Sequence, residues 1–312
     1  MKRALITGAT GFLGSTLSRY LLKHGWSVHV LLRENSSTEY IDDFLQDITV
    51  HKLTNSMDNI EEVLKLSKPD VVFHLASLFL AAHKSSDIAP LIQSNILFPT
   101  LLLEAMDKTG HKVLVNTGTS WQHYQNHDYS PVNLYASTKE AFDKVAQYYV
   151  EAKAFKVVTL KLFDTYGPGD KRKKLFHLLR EAARNSTTIN MSPGMQLLNI
   201  VYSEDVAEAF RLSGELALTN KASSSHHYGV SANEVLPLQE LVRTYSEITK
   251  KNIHVNWGAL PYREREVMEP WTSYQKVPGW EPKVSLTEGI VLMEGDSSIG
   301  GLFERINSLT RL

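Results

Sequence analysis

Apolar residues along the first half of the chain gather into short unbroken runs separated by longer segments of helical periodicity. Ala4 to Thr7, Ser27 to Leu32, Ile48 to Leu53, Val71 to Ala76, Lys112 to Asn116 and Lys156 to Phe163 read as strands. Runs this short and continuous suit strands covered on both faces, as in a parallel sheet. Between them, Ser15 to His24, Ile60 to Leu66, Leu91 to Lys108 and Ser137 to Ala154 repeat apolar residues at three- and four-residue intervals, the stripe of a helix lying on a sheet. The alternation predicts an α/β fold, a doubly wound parallel sheet. From Gly167 it loosens, and Gly167-Pro168-Gly169-Asp170, Ser192-Pro193-Gly194, Pro261 and Pro278-Gly279 punctuate shorter elements. The expected organisation is a main domain over 1–166 with returning segments near 195–225, and a smaller α/β domain drawn mainly from 167–312.

The first strand runs directly into Gly8-Ala9-Thr10-Gly11-Phe12-Leu13-Gly14, which opens the first helix. Without side chains at Gly8 and Gly11 the backbone can turn tightly and approach a pyrophosphate. Gly14 lets the helix pack closely, with its positive N-terminal dipole aimed at the anion. Gly8, Thr10, Gly11, Phe12, Leu13 and Gly14 are therefore expected to bind a dinucleotide.

Composition narrows the field. The 312 residues carry a formal net charge of −1, with 21% charged residues, which gives no global attraction to nucleic acid or an acidic membrane. No cysteine is present, so a disulfide framework, a thiolate nucleophile and a cysteine zinc site are excluded. No histidine-carboxylate spacing suggests a metal, and no long apolar stretch reads as a signal or a membrane span. A cytoplasmic location is the default expectation.

Candidate chemistry lies at Tyr135 and Lys139, one helical turn apart at the head of a helical segment. A phenol titrates near ~10, and a fixed positive charge beside it is expected to pull that value toward neutrality, making an acid-base catalyst.

Six motifs in order resemble the extended short-chain dehydrogenase/reductases of the nucleotide-sugar epimerase/dehydratase group. They are the glycine turn, Val72-Phe73-His74-Leu75-Ala76-Ser77, Tyr135 with Lys139, Phe163-Asp164-Thr165-Tyr166-Gly167-Pro168-Gly169-Asp170, Asp205-Val206-Ala207-Glu208-Ala209, and Gly279-Trp280-Glu281-Pro282-Lys283. The resemblance implies a Rossmann-type fold, with Tyr135 as proton carrier and Lys139 on the nicotinamide ribose. Thr117 is implied to hold the reacting oxygen, and Leu75, Ala76, Ser77 and Asn95 to line the cofactor. It further implies substrate contacts from Thr119, Arg263 and Glu266, with Arg263 on the diphosphate, and a homodimer paired through the helices at 91–108 and 137–154. The apolar series Phe142, Val145, Tyr149 and Ala152 could serve that seam or the core. Dehydratases of this group follow the Thr117 position with Asp-Glu, whereas Gly118 and Thr119 stand here, so dehydration is not expected. Relatives also place an arginine where Leu198 stands, followed here by Asn199. The basic run Lys171-Arg172-Lys173-Lys174 could replace the lost charge or be a solvated loop.

Cofactor choice rests on the end of the second strand. Arg33 follows the apolar run and could meet the 2′-phosphate of NADPH, with Ser36 and Ser37 as donors. The other reading gives the ribose to Glu34 and the protein to NAD. Two further segments, 116–124 and 258–268, resemble 4-ketoreductases of the CDP-abequose/CDP-paratose synthase type. The expected function is NADPH-dependent reduction of the 4-keto group of a nucleotide-linked deoxysugar. The alternatives are an NAD-dependent nucleotide-sugar 4-epimerase and, more remotely, a non-catalytic NADP-binding protein. Were Tyr135 not the acid, His83 or His123 would be the first to examine.

Overall fold

The computed structural model describes residues 1–54, 57–219 and 224–295. Its centre is a seven-stranded parallel sheet made from β1 (Arg3–Thr7), β2 (Ser27–Arg33), β3 (Thr49–Leu53), β4 (Val71–His74), β5 (Val113–Thr119), β6 (Lys156–Leu162) and a later strand, Ser224–Val230. The spatial order 3-2-1-4-5-6, continued outward by Ser224–Val230, is that of a Rossmann fold. Its order reverses between β1 and β4. There Thr7 lies beside His74 and His74 beside Asn116, so the chain leaves all three strands at one edge of the sheet.

Helices cover both faces, as the strand composition requires. On one face α1 (Phe12–Lys23) lies against a core that includes Leu17, Val30, Phe73 and Phe210. On the other, α2 (Met57–Ser67) packs over Leu5, Val72 and Leu114. The helix expected over 91–108 is present as one continuous run, α3 (Ile88–Ile92) passing through a π-helical turn over Gln93–Leu97 into α4 (Phe98–Thr109). Such π-turns tend to mark functional sites, and this one carries Asn95. The run Ser85–Thr109 is long and apolar enough to cross a membrane by length and composition. Leu102, Leu103, Ala105 and Met106 on it are instead buried in the same core as Leu114. The next helix, α5 (Leu134–Lys153), is capped by Asn133, whose side-chain oxygen accepts the Ala136 N–H at 3.0 Å. Phe142 and Tyr149 on α5 are core residues, whereas Ala152 is exposed.

The second half is built from smaller pieces. After β7 (Asp164–Tyr166) come α6 (Leu175–Asn185), β8 (Thr188–Met191), β9 (Leu197–Leu198) and β10 (Ile200–Tyr202). Then α7 (Ser203–Thr219) and β11, the Ser224–Val230 strand, rejoin the main layer. The described residues end with β12 (Leu236–Pro237), α8 (Leu238–Thr249), β13 (His254–Trp257) and α9 (Leu286–Glu294). Three two-stranded pairings, β7 with β10, β8 with β13 and β9 with β12, surround a third core that includes Tyr166, Leu179, Leu241 and Ile290. Two of the sequence motifs meet here. The Trp280 indole donates to the Asp205 carbonyl at 2.8 Å, and the Asp205 carboxylate accepts the Val284 N–H.

Candidate active site

Backbone geometry makes the turn between β1 and α1. Gly8 has φ of +75°, and a Cβ there would lie 2.5 Å from the Ala76 backbone nitrogen in the segment leaving β4. A Cβ on Gly14 would lie 2.0 Å from the Gly8 oxygen, so the helix meets its own turn with no room for a side chain. Gly11 is the N-cap residue of α1 and brings no side-chain acceptor. Thr10 and Leu13 are half-buried beside it and Phe12 is buried. The turn thus offers backbone donors at a helix N-terminus, which suits a pyrophosphate.

Beyond β4, Leu75 donates its N–H to the Thr7 carbonyl, Ala76 donates to the Thr7 hydroxyl, and that hydroxyl meets the His74 ring at 2.8 Å. Ser77 donates to the Asn95 carboxamide oxygen at 3.0 Å. That oxygen also accepts from the Leu78 N–H, and the Asn95 nitrogen donates to the Leu78 carbonyl and the Thr138 hydroxyl. All four bonds of the carboxamide therefore stay within the protein and tie the 77–78 segment to α5.

Tyr135 and Lys139 come together as their spacing implies. The Lys139 ammonium stands 5.9 Å from the centre of the Tyr135 ring, and both residues are buried. Burial, opposed by Asp143, lowers the Lys139 pKa to about 8, and among the described residues its ammonium has no hydrogen-bond partner. Tyr135 departs from expectation. Burial pushes its phenol up to about 12 by desolvating the phenolate, against a lowering hydrogen bond from Ser77. The resting side chain is a protonated acid. Phe79, 44% exposed, packs edge-on to Tyr135 at 5.0 Å and faces Trp121 at 5.7 Å, so an aromatic wall flanks the phenol that the sequence reading missed.

Thr117 and Thr119 project from the same face of β5. The Thr117 hydroxyl donates to the His74 carbonyl at 2.8 Å, and the Thr119 hydroxyl accepts the Trp121 N–H at 3.3 Å. Between them, a Cβ on Gly118 would lie 2.9 Å from the Gln122 side-chain oxygen and 3.1 Å from Lys161. The position where dehydratases carry their acid is physically filled.

Behind α5 lies a buried polar cluster that sequence reasoning did not find. Asp143 accepts from Asn116 at 3.2 Å, Thr159 at 3.1 Å and Gln122 at 3.0 Å. Gln122 also donates to Glu140 at 2.6 Å, and Lys161 meets the His123 ring at 2.7 Å. The available signal was spacing: Asp143 follows Lys139 by one helical turn, on the same face. His123, stacked on Trp271 at 3.9 Å, is held neutral by burial and by Lys161, whereas His83 is exposed.

The remaining expectations separate. Arg33 and Glu34 are both exposed at the end of β2, and Arg33 has no side-chain partner among the described residues. The basic run is largely spent locally. Lys171 pairs with Glu39, Lys174 pairs with Asp164, and Arg172 binds Asp170 and the Thr165 carbonyl while lying 4.4 Å over the Phe12 ring. Arg263 is exposed, and its backbone N–H donates to the Glu266 carboxylate at 3.2 Å, which joins those two residues in one turn. Leu198 is half-buried, and Asn199 spends its side chain on the backbone of Ala232 and Glu234.

The chain can be set beside known proteins on this geometry. CDP-abequose synthase of Salmonella muenchen is 26% identical over 300 residues, covering 94% of this chain and 97% of that protein. UDP-glucuronic acid decarboxylase 6 of Arabidopsis thaliana is 23% identical over 310 residues, covering 94% and 88%. Among solved structures, UDP-glucose 4-epimerase of Thermotoga maritima with UDP-glucose superposes with a TM-score of 0.81 at 22% identity, covering 97% of this chain and 99% of that one. The model of the NAD dependent epimerase/dehydratase family matches residues 4–239, from β1 into α8. With that match spanning most of the chain, including the glycine turn and the Tyr135–Lys139 pair, the protein belongs to the NAD-dependent epimerase/dehydratase family.

Proposed function

We propose that this protein reduces the 4-keto group of a nucleotide-linked deoxysugar with NADPH. The observation that carries the reading is the buried Tyr135 phenol with the Lys139 ammonium 5.9 Å from its ring centre, an ammonium that has no hydrogen-bond partner among the described residues. A carbonyl becoming an alcohol needs a proton, and a phenol held in its acid form supplies one. Likeness to CDP-abequose synthase over nearly the whole chain supports a sugar-nucleotide substrate. The absence of room at Gly118 argues against dehydration.

The nicotinamide cofactor, when bound, supplies hydride to the sugar carbon. The protein does the rest. The glycine turn and the α1 N-terminus hold the pyrophosphate, and Lys139 donates to the nicotinamide ribose. Arg33, with no side-chain partner among the described residues, takes the 2′-phosphate that distinguishes NADPH from NADH. Tyr135 gives its proton to the carbonyl oxygen. Thr117 holds that oxygen after its hydroxyl rotates away from His74. Arg263 and Glu266, joined in one turn, receive the nucleotide diphosphate and ribose. Ile88, Ile92 and Leu97 near α4 and Tyr148 on α5 expose apolar surface that fits a homodimer seam.

The test is a panel of nucleotide-linked 4-ketosugars with NADPH and NADH side by side. Stoichiometric loss of reduced-cofactor absorbance with NADPH is expected. Interconversion of C4 epimers with no net cofactor consumption would replace this reading by an NAD-dependent 4-epimerase.

A further inference from the structure

We propose that Asp143 is a positioning residue for catalysis, the buried counter-charge one helical turn from the Lys139 ammonium. The inference deepens the proposed function and rests on its assignment of Lys139 to the cofactor ribose.

Asp143 lies one turn beyond Lys139 on the inward face of α5, and only 6% of its surface is exposed. A carboxylate in such a place is costly unless donors surround it. Three do: the Asn116 and Gln122 carboxamides and the Thr159 hydroxyl, from β5, the segment after it and β6. The donors reach both carboxylate oxygens, Asn116 and Thr159 on one and Gln122 on the other. The cluster is thus built to hold a negative charge in the interior.

Five charged groups stand together here, Asp143 with Lys139, Glu140, Lys144 and Lys161. On α5 itself stand Lys139, Glu140 and Lys144. Glu140 is engaged elsewhere, 3.3 Å from Lys144 and 3.8 Å from the buried Lys161 of β6. The histidines facing the cluster bring no countering charge at neutral pH. His74 on β4 is pushed down to about 3 by burial and by Lys139, and burial also lowers His123 and, on β11, His227, whose ring stands 3.9 Å from Asp143. Asp143 is the carboxylate that acts on Lys139, and it acts on Lys161 as well. Burial alone lowers the lysine, and the Asp143 charge raises it back. The sign follows directly: removing the carboxylate lets burial prevail, so Lys139 loses its proton at lower pH.

The same carboxylate is coupled to the substrate side. Gln122, which donates to both Asp143 and Glu140, accepts the Thr119 N–H on its oxygen at 2.9 Å. One carboxamide therefore ties the charge cluster to the end of β5 that carries Thr117 and Thr119.

The experiment is competitive acetylation of Lys139 across the neutral and alkaline range, read by mass spectrometry, alongside NADPH binding over the same range, both on the full chain. In the Asp143→Asn variant the midpoint of Lys139 acetylation should fall by about one pH unit, and the alkaline loss of NADPH affinity should fall with it. Asp143→Glu should restore both, and Asp143→Ser, which leaves space for water, replaces Asp143→Asn if that variant does not fold. An unmoved Lys139 midpoint in a folded charge-free variant would overturn the proposal and leave Asp143 a packing residue. A midpoint that moves while NADPH binding keeps its wild-type pH dependence would preserve the charge pairing and overturn the assignment of Lys139 to the cofactor.

Discussion

The proposed cofactor end and the proposed substrate end of the site are built by different physics. At the cofactor end the shape comes from main chain: Gly8 at positive φ, Gly14 with no room for a Cβ, and the aligned ends of β1, β4 and β5. At the substrate end it comes from side chains reaching between loops far apart in sequence. Arg265 donates to Ser130 across 135 residues and lies 4.2 Å over the Tyr124 ring, Asn126 accepts the Thr272 N–H across 146, and Trp271 stacks on His123. A main-chain site depends on residue type at fixed local spacing. A side-chain site depends on a tertiary meeting that no local pattern announces. The first kind should tolerate almost no substitution, and the second should lose selectivity before it loses the fold.

The largest effect should come where the two ends meet. Tyr135→Phe keeps the buried ring and deletes its proton, so turnover on the best 4-ketosugar should fall roughly 10²- to 10⁴-fold while cofactor affinity and melting temperature persist. Near-normal turnover would mean that another group is the acid. Next is Gly14→Ala at the cofactor end. Its Cβ must displace the Gly8 carbonyl, and about 1–3 kcal/mol of stability should go, together with dinucleotide affinity. A melting curve that matches the parent would break the claim that main-chain contact shapes this end.

Arg33→Ala sharpens the comparison within the cofactor end, since it changes a side chain and not the main chain. NADPH should weaken by about 1–3 kcal/mol and NADH hardly at all, measured by fluorescence titration. Equal weakening would return the ribose to Glu34. The smallest effect is expected at the substrate end. Arg265→Met removes a guanidinium whose buried Nε has no partner among the described residues, and its cost to stability should stay below about 1 kcal/mol. A loss as large as that of Gly14→Ala would erase the distinction between the two ends.

Sequence by itself determined the parallel sheet, the glycine turn and the pairing of Tyr135 with Lys139. Each is set by a repeat or a spacing of a few residues: continuous apolar runs for buried strands, glycines where a Cβ collides, one helical turn between phenol and ammonium. It also exposed the missing dehydratase acid at Gly118, and the structure adds that a Cβ there would lie 2.9 Å from the Gln122 side-chain oxygen. Tertiary structure decided the burial of Tyr135, a property of the whole packed site that raises the phenol's pKa where the sequence pattern predicts a lowering. It alone decided that Phe142 and Tyr149 face the core and that the basic run is spent on Glu39, Asp170 and Asp164. It assembled Asp143 from donors on different elements. Charge and burial depend on what surrounds a residue in space, and the sequence records only what precedes and follows it.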